Sequence, residues 1–192
     1  METKQKDLRF QKTENSIRST FFDLLKKKEL SDITVTEISR QALLGRGTFY
    51  LHYKDIYDLL YTIEKEYVKE LSAILDQYLP EPYAEQISPM TDRIFDYIKE
   101  NKEHLKLLFN HISTRHFTDQ LIDQEKKLYC LTTNSPEQRG KNMVKMAFLI
   151  SGYAGIILDY QFHGTPEISE KEVKKSINEI LLPFTRKKQN KG

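Results

Sequence analysis

The chain has 192 residues, 39% apolar and 11% aromatic, which excludes a disordered chain and leaves one large domain, or one large and one small. Net charge is only +2, but residues 1–54 hold eleven Lys/Arg against seven Asp/Glu and residues 55–192 hold nineteen against twenty-one. A basic head on a slightly acidic body predicts a polyanionic partner at one end. A lone cysteine, Cys130, excludes an internal disulfide and fits a reducing compartment, and the polar start METKQKDLRF is no signal peptide. The longest uncharged stretch, Met146–Leu158, is thirteen residues where a membrane span needs about 20, so a cytoplasmic protein with no membrane partner is expected.

Seven Gly and six Pro leave long unbroken runs, and periodicity reads as helix almost throughout. Residues 1–12 are polar and basic and read as a loose arm. A first helix is predicted from near Thr13 or Asn15 to about Lys28 on the stripe Ile17, Phe21, Leu24 and Leu25, with Lys26, Lys27 and Lys28 facing the negative end of its dipole. Thr34 and Glu37 stand at capping-box spacing and open a second helix, about Val35 to Leu43. Gly45 and Gly47 interrupt, and a short third helix runs to about His52. Two short helices joined by a tight glycine-containing turn make a helix-turn-helix.

Asp55 caps a fourth helix that reaches toward Leu79 on a sustained 3.6-residue stripe. Pro80, Pro82 and Pro89 mark a loop, with a fifth helix from Pro89 or Met90. His104 to Asn110 and Thr114 to Leu131 follow as helices, then a polar loop from Thr132 to Gly140. The eighth helix, about Pro136 to His163, carries apolar residues all round and is expected to be buried on every side. Gly164 and Pro166 end it. A ninth, amphipathic helix runs from about Ser169 to Thr185 before a basic tail, RKKQNKG. The expected class is all-α: a three-helix head over residues 1–54 and a helical bundle over 55–192, about nine helices in all.

Catalytic templates fail. There is no P-loop, GxGxxG, HExxH, CxxC or GxSxG, so no enzyme is expected and no catalytic residue is assigned. His104, His111 and His116 fall within thirteen residues and offer imidazoles to a metal, but their spacing matches no standard zinc pattern; surface hydrogen bonding is the plainer reading. No cofactor is expected beyond a small-molecule effector.

The stretch Thr34-Val35-Thr36-Glu37-Ile38 through Ala42, then Arg46-Gly47-Thr48-Phe49-Tyr50-Leu51-His52-Tyr53-Lys54-Asp55, resembles the DNA-binding head of the TetR/AcrR transcriptional regulators. The resemblance covers about residues 10–60. FLISGYAGIILDYQFHG, residues 148–164, resembles the subgroup related to dihydroxyacetone-kinase-operon activators. Two positions depart: Leu43 stands where the family usually has its turn glycine and Gly45 where it usually has a capping serine. That exchange costs a few tenths of a kcal/mol of capping.

The resemblance implies double-stranded DNA as partner, a palindromic operator, and a homodimer whose heads sit about 34–36 Å apart. Thr34 and Thr36 would contact phosphate; Arg46 and Thr48 would reach base edges or phosphate; Tyr50, His52 and Lys54 would contact phosphate; Gly47 would let backbone approach DNA, with Phe49 and Tyr53 as head core. Packing within the head is the alternative for Tyr50 and His52. For the dimer interface the residues are Ala147, Ile150, Gly152, Ala154, Gly155, Ile177, Ile180, Leu181 and Phe184. For an effector pocket they are Tyr67, Phe95, Ile98, Phe109, Phe117, Met146, Ile150 and Tyr153. The expected function is ligand-responsive repression, with an effector biasing the tilt of the fourth helix. The alternatives are a helical coactivator with weak DNA specificity, motivated by Leu43 and Gly45, and a metal-responsive regulator using His104, His111 and His116.

Overall fold

The computed structural model describes residues 2–78, 84–112, 114–130, 135–162, 164 and 167–184, and the side chains of these except 2–7, 84, 114 and 127–130. The basic tail from Arg186, Pro80, Pro82, Pro166, His163 and residues 131–134 lie outside the described residues, as does the Cys130 side chain. Among the described residues there are nine α-helices and no strand. They are α1 Glu2–Leu25, α2 Val35–Gln41, α3 Arg46–His52, α4 Ile56–Leu75, α5 Ala84–Glu100, α6 Lys102–His111, α7 Thr114–Cys130, α8 Pro136–Phe162 and α9 Glu170–Leu181. Two compact units divide the chain, the first from residues 1–65 with 107–111 and the second from 66–106 with 112–192.

The first unit closes on the apolar stripes read from the sequence. Ile17 and Phe21 of α1, Ile38 of α2, Phe49 of α3 and Leu59 of α4 have no exposed surface. Burying each such side chain contributes about 1.5–3 kcal/mol. The expected loose arm is instead helical, because α1 begins at Glu2. No Gly or Pro interrupts residues 1–12. Thr13, read as a start, is a helix-interior residue whose hydroxyl donates to the Arg9 carbonyl at 2.9 Å.

In the second unit α7 packs on α8, and α5 on α9 and α8. The α5 helix starts at Ala84 and contains Pro89 rather than following it. Proline has no N–H for the preceding turn, but Ile87 and Met90 on either side are buried, and their packing holds the helix through it. Ser169 and Glu172 form a complete capping box at the start of α9. The S-x-x-E spacing of Ser169-Glu170-Lys171-Glu172 is the sequence signal for it.

Helix α8 corrects the expectation of burial on every side. Met146, Ile150, Ile157 and Leu158 are buried, but Val144, Phe148, Ser151, Gly152, Gly155 and Ile156 are exposed at helical spacing along one face. By length and composition alone α8 is long and apolar enough to cross a membrane, which the uncharged-stretch count did not anticipate.

Candidate functional site

The head is built on two caps and a tight turn. Thr34 is the N-cap of α2, and its hydroxyl accepts the Glu37 N–H at 3.2 Å. Only this half of the expected box is in use, because the Glu37 carboxylate pairs with the Lys28 ammonium. At the other end of α2, Leu43 N–H donates to the Arg40 carbonyl at 3.3 Å and Leu44 N–H to the Ser39 carbonyl at 2.8 Å. This is a Schellman motif, which places one residue in the left-handed region. That residue is Leu43, at φ 56°, with its side chain 91% exposed.

Gly45 then caps α3 by backbone alone: its carbonyl accepts the Thr48 and Phe49 N–H groups at 2.9 and 3.3 Å, and no side chain assists. A Cβ at Gly45 would meet Thr48 Oγ1 at 3.8 Å, an ordinary contact, so a serine fits there. At Gly47 a Cβ would meet nothing within 4 Å, which leaves the backbone of α3 open to approach from outside.

The outer face of this motif collects most of the residues singled out from the sequence. Thr34, Thr36, Arg46, Gly47, Tyr50 and Lys54 are exposed, and Thr48 is half-buried. Arg46 and Tyr50 are four residues apart on α3 and share a face. Lys54 N–H donates to the Asp58 carboxylate at 2.9 Å, while Asp58 N–H donates to the Asp55 carboxylate at 2.8 Å, so the start of α4 fixes the Lys54 backbone. His52 is placed differently. Its ring lies against Phe10 with centroids 3.9 Å apart, and its Nδ1 is buried without a hydrogen-bond partner. Burial holds its imidazole below the ordinary value, with Glu14 pulling the other way.

Beneath that face, Tyr53 O–H donates to the Glu14 carboxylate at 3.0 Å, and Arg18 donates both to Tyr53 Oη and to Glu14 at 3.1 Å. Burial pushes the Tyr53 phenol up to about 12. Sequence reasoning missed Phe10, Glu14 and Arg18 as supports of the motif. The i,i+4 pair Glu14–Arg18 was the available signal.

The second unit contains an apolar cavity of about 70 Å³. Of the residues expected around a pocket, Ile98, Phe117, Met146, Ile150 and Tyr153 line it. The others lie elsewhere. Phe95 is fully buried with the Lys174 ammonium 4.9 Å from its ring centroid, Tyr67 Oη is 3.1 Å from His104 Nδ1, and Phe109 belongs to the first unit. Leu71 and Leu75 of α4 and Leu121 of α7 also line it, as do Ala154, Leu181 and Phe184 from among the residues expected at a subunit interface, and Lys145 and Asn142 are its polar members besides Tyr153. The Tyr153 hydroxyl faces Thr91 without a hydrogen bond of normal geometry, and burial pushes its phenol up.

Among the residues expected at a subunit interface, Gly152, Gly155 and Ile180 are exposed and Ala147, Ala154 and Phe184 half-buried. Ile150, Ile177 and Leu181 are buried inside the unit, because the inner faces of α8 and α9 are its own core. Val144, Phe148, Ile156 and Leu182, not singled out from the sequence, are exposed.

The three histidines do not converge. His104 faces Tyr67, His111 Nδ1 lies 3.6 Å from a Glu29 carboxylate oxygen, and His116 Nδ1 lies 3.4 Å from Gln120 Nε2. Among the described residues no three metal-ligating side chains come together.

No curated protein matches the chain. Residues 85–181, just over half of it, match a family model of the TetR type described as a transcriptional regulator C-terminal region. With a helix-turn-helix ahead of that matched body, the chain belongs to the TetR family of transcriptional regulators.

Proposed function

We propose that the protein is a homodimeric, ligand-responsive repressor that binds a palindromic operator through residues 1–54 and senses its effector within residues 55–192. The observation that carries the DNA-binding half is the exposed placement of Arg46 beside Tyr50 on α3, with Thr34 and Thr36 exposed at the start of α2. Arg46 and Thr48 read base edges, and Thr34, Thr36, Tyr50 and Lys54 hold phosphates, which position the head but carry no sequence information. His52 shapes the end of α3 through its stack on Phe10.

Dimerisation uses the apolar stripe of α8. A face of Val144, Phe148, Gly152, Gly155 and Ile156 has the small residues that let a second helix approach closely, and Ile180 and Leu182 extend the apolar surface. A two-fold pairing of this face makes a four-helix contact. It also supports reading the apolar character of α8 as a subunit contact rather than a membrane span. The body is of the kind found in the dihydroxyacetone-kinase-operon activator-like subgroup.

The effector is small and largely apolar, in keeping with the cavity lining. It acts only to the extent that it binds the two positions of α4 differently. Selection of bound fragments from the source genome tests the whole reading. Recovery of one palindromic site, released by a compound that the products of the neighbouring genes make or consume, is the expected result; recovery of no preferred sequence overturns it.

A further inference from the structure

Two carboxyl groups meet in the seam between α4 and α7. Glu125 of α7 is 2% exposed, and its carboxyl accepts a hydrogen bond from the hydroxyl of Ser72 on α4, itself 1% exposed. The Asp76 carboxyl, exposed in the turn that follows α4, is near enough to the same Glu125 side chain to oppose its ionisation. Asp76 N–H donates to the Ser72 carbonyl at 2.8 Å, so both α4 partners sit on adjoining turns. The last carbonyls of α4 add further negative potential.

The neighbouring charges have other partners. On α7, the Lys126 ammonium lies 3.3 Å from Asp123. On α8, Lys141 pairs with Glu137 at 2.7 Å and Lys145 lies 5.8 Å from the Phe184 ring centroid. On α4, Glu70 accepts the Tyr97 hydroxyl at 2.9 Å. None of these described cations acts on Glu125, whose electrostatic neighbours are Ser72 and Asp76.

The same two helices wall the cavity. Leu75, beside Asp76, and Leu121, one turn before Glu125, both line it. We propose that Ser72, Asp76 and Glu125 form a proton-operated latch between α4 and α7, closed while the buried Glu125 carboxyl that holds Ser72 carries a proton and loosened when that proton passes to solvent, so that access to the cavity depends on pH. The consequence for sensing rests on the proposed effector reading; the latch does not.

Burial pushes the Glu125 carboxyl up to about 7, and partial desolvation raises the otherwise exposed Asp76 as well. The folded value therefore lies above the ordinary 4.5. The stabilisation is complete below that ordinary value and is lost as pH rises through about 7.

Hydrogen exchange of the full-length protein without ligand or DNA tests this, read on peptides covering residues 71–76 and 117–125 across about pH 5 to 8 and corrected for intrinsic chemistry. The opening equilibrium should rise up to about tenfold per pH unit and level off near 7. In Glu125→Gln it should be flat. In Asp76→Asn, which lacks the charge opposing ionisation of Glu125, levelling should come at lower pH. The same pH slope in Glu125→Gln as in the natural protein overturns the latch, and so does an unshifted Asp76→Asn. Should Glu125→Gln not fold, the Asp76→Asn shift decides alone. Since neither ligand nor DNA enters the measurement, its failure is distinct from failure of the sensing reading.

Discussion

The ring of Phe10 lies on the ring of His52, centroids 3.9 Å and planes 26° apart, so the first helix grips the last residue of α3. The part of α1 that makes this contact was expected to be a loose arm. Its helical extension gives the end of α3 an apolar support.

That contact predicts a pH response. His52 is held below its ordinary value of 6.5, chiefly by burial, so the folded head favours the neutral ring. Its contribution is intact above about 6.5 and is lost as pH falls through the lower folded value. Phe10→Ala should remove the ~0.5–1.5 kcal/mol of a stacked pair. It should also move the His52 titration, followed by NMR, back toward 6.5. A titration that stays put would show that Phe10 is not what shields the ring.

Leu43 adopts φ 56° with its side chain almost wholly in solvent, so it gains little from packing in return for a strained backbone. The left-handed conformation costs a non-glycine residue roughly 1–2 kcal/mol. A glycine adds about 0.4–1 kcal/mol of unfolded-state entropy cost. Leu43→Gly should therefore raise the urea midpoint by a net stabilisation of about 0.5–1 kcal/mol with an unchanged slope, whereas Leu43→Ala should not. A lowered midpoint in the glycine variant would mean that Leu43 makes an apolar contact worth more than its strain.

Replacing Arg46 by Ala separates base reading from charge. A base contact predicts a loss of about 1–3 kcal/mol of operator affinity with relaxed preference at one position. A phosphate contact predicts a uniform loss and a salt slope reduced by about one. Binding assays on the selected duplex at several salt concentrations distinguish the two. Undiminished binding at every salt concentration would remove Arg46 from the interface.

Phe148 is 64% exposed at the centre of the α8 stripe. Phe148→Glu should weaken self-association by about 30-fold or more, since a buried aromatic at the centre of an interface is worth about 2 kcal/mol or more. Sedimentation of the natural protein as a dimer and of the variant as a monomer is the expected pair of results. A monomer in both cases would place the stripe outside any subunit contact.

The sequence by itself determined the local features. Helical periodicity, the Thr34 cap, the Asp55 cap and the run Arg46 to Lys54 each depend on residues within a few positions of one another, where propensity and capping act directly. The helix-turn-helix was legible for that reason, and Leu43 and Gly45 were visible as its departures. Only the tertiary structure decided which apolar faces meet. The stripe of α8 was read as uniformly buried, yet Met146 and Ile150 face the unit's own core while Val144 and Phe148 are left exposed. Ile177 and Leu181 were assigned outward and lie inward for the same reason: hydrophobicity says that a face must be covered, not which neighbour covers it. The meeting of Ser72 and Asp76 with Glu125, some fifty residues away, was equally beyond local reading, because the desolvation that shifts these acids exists only once α4 and α7 have packed.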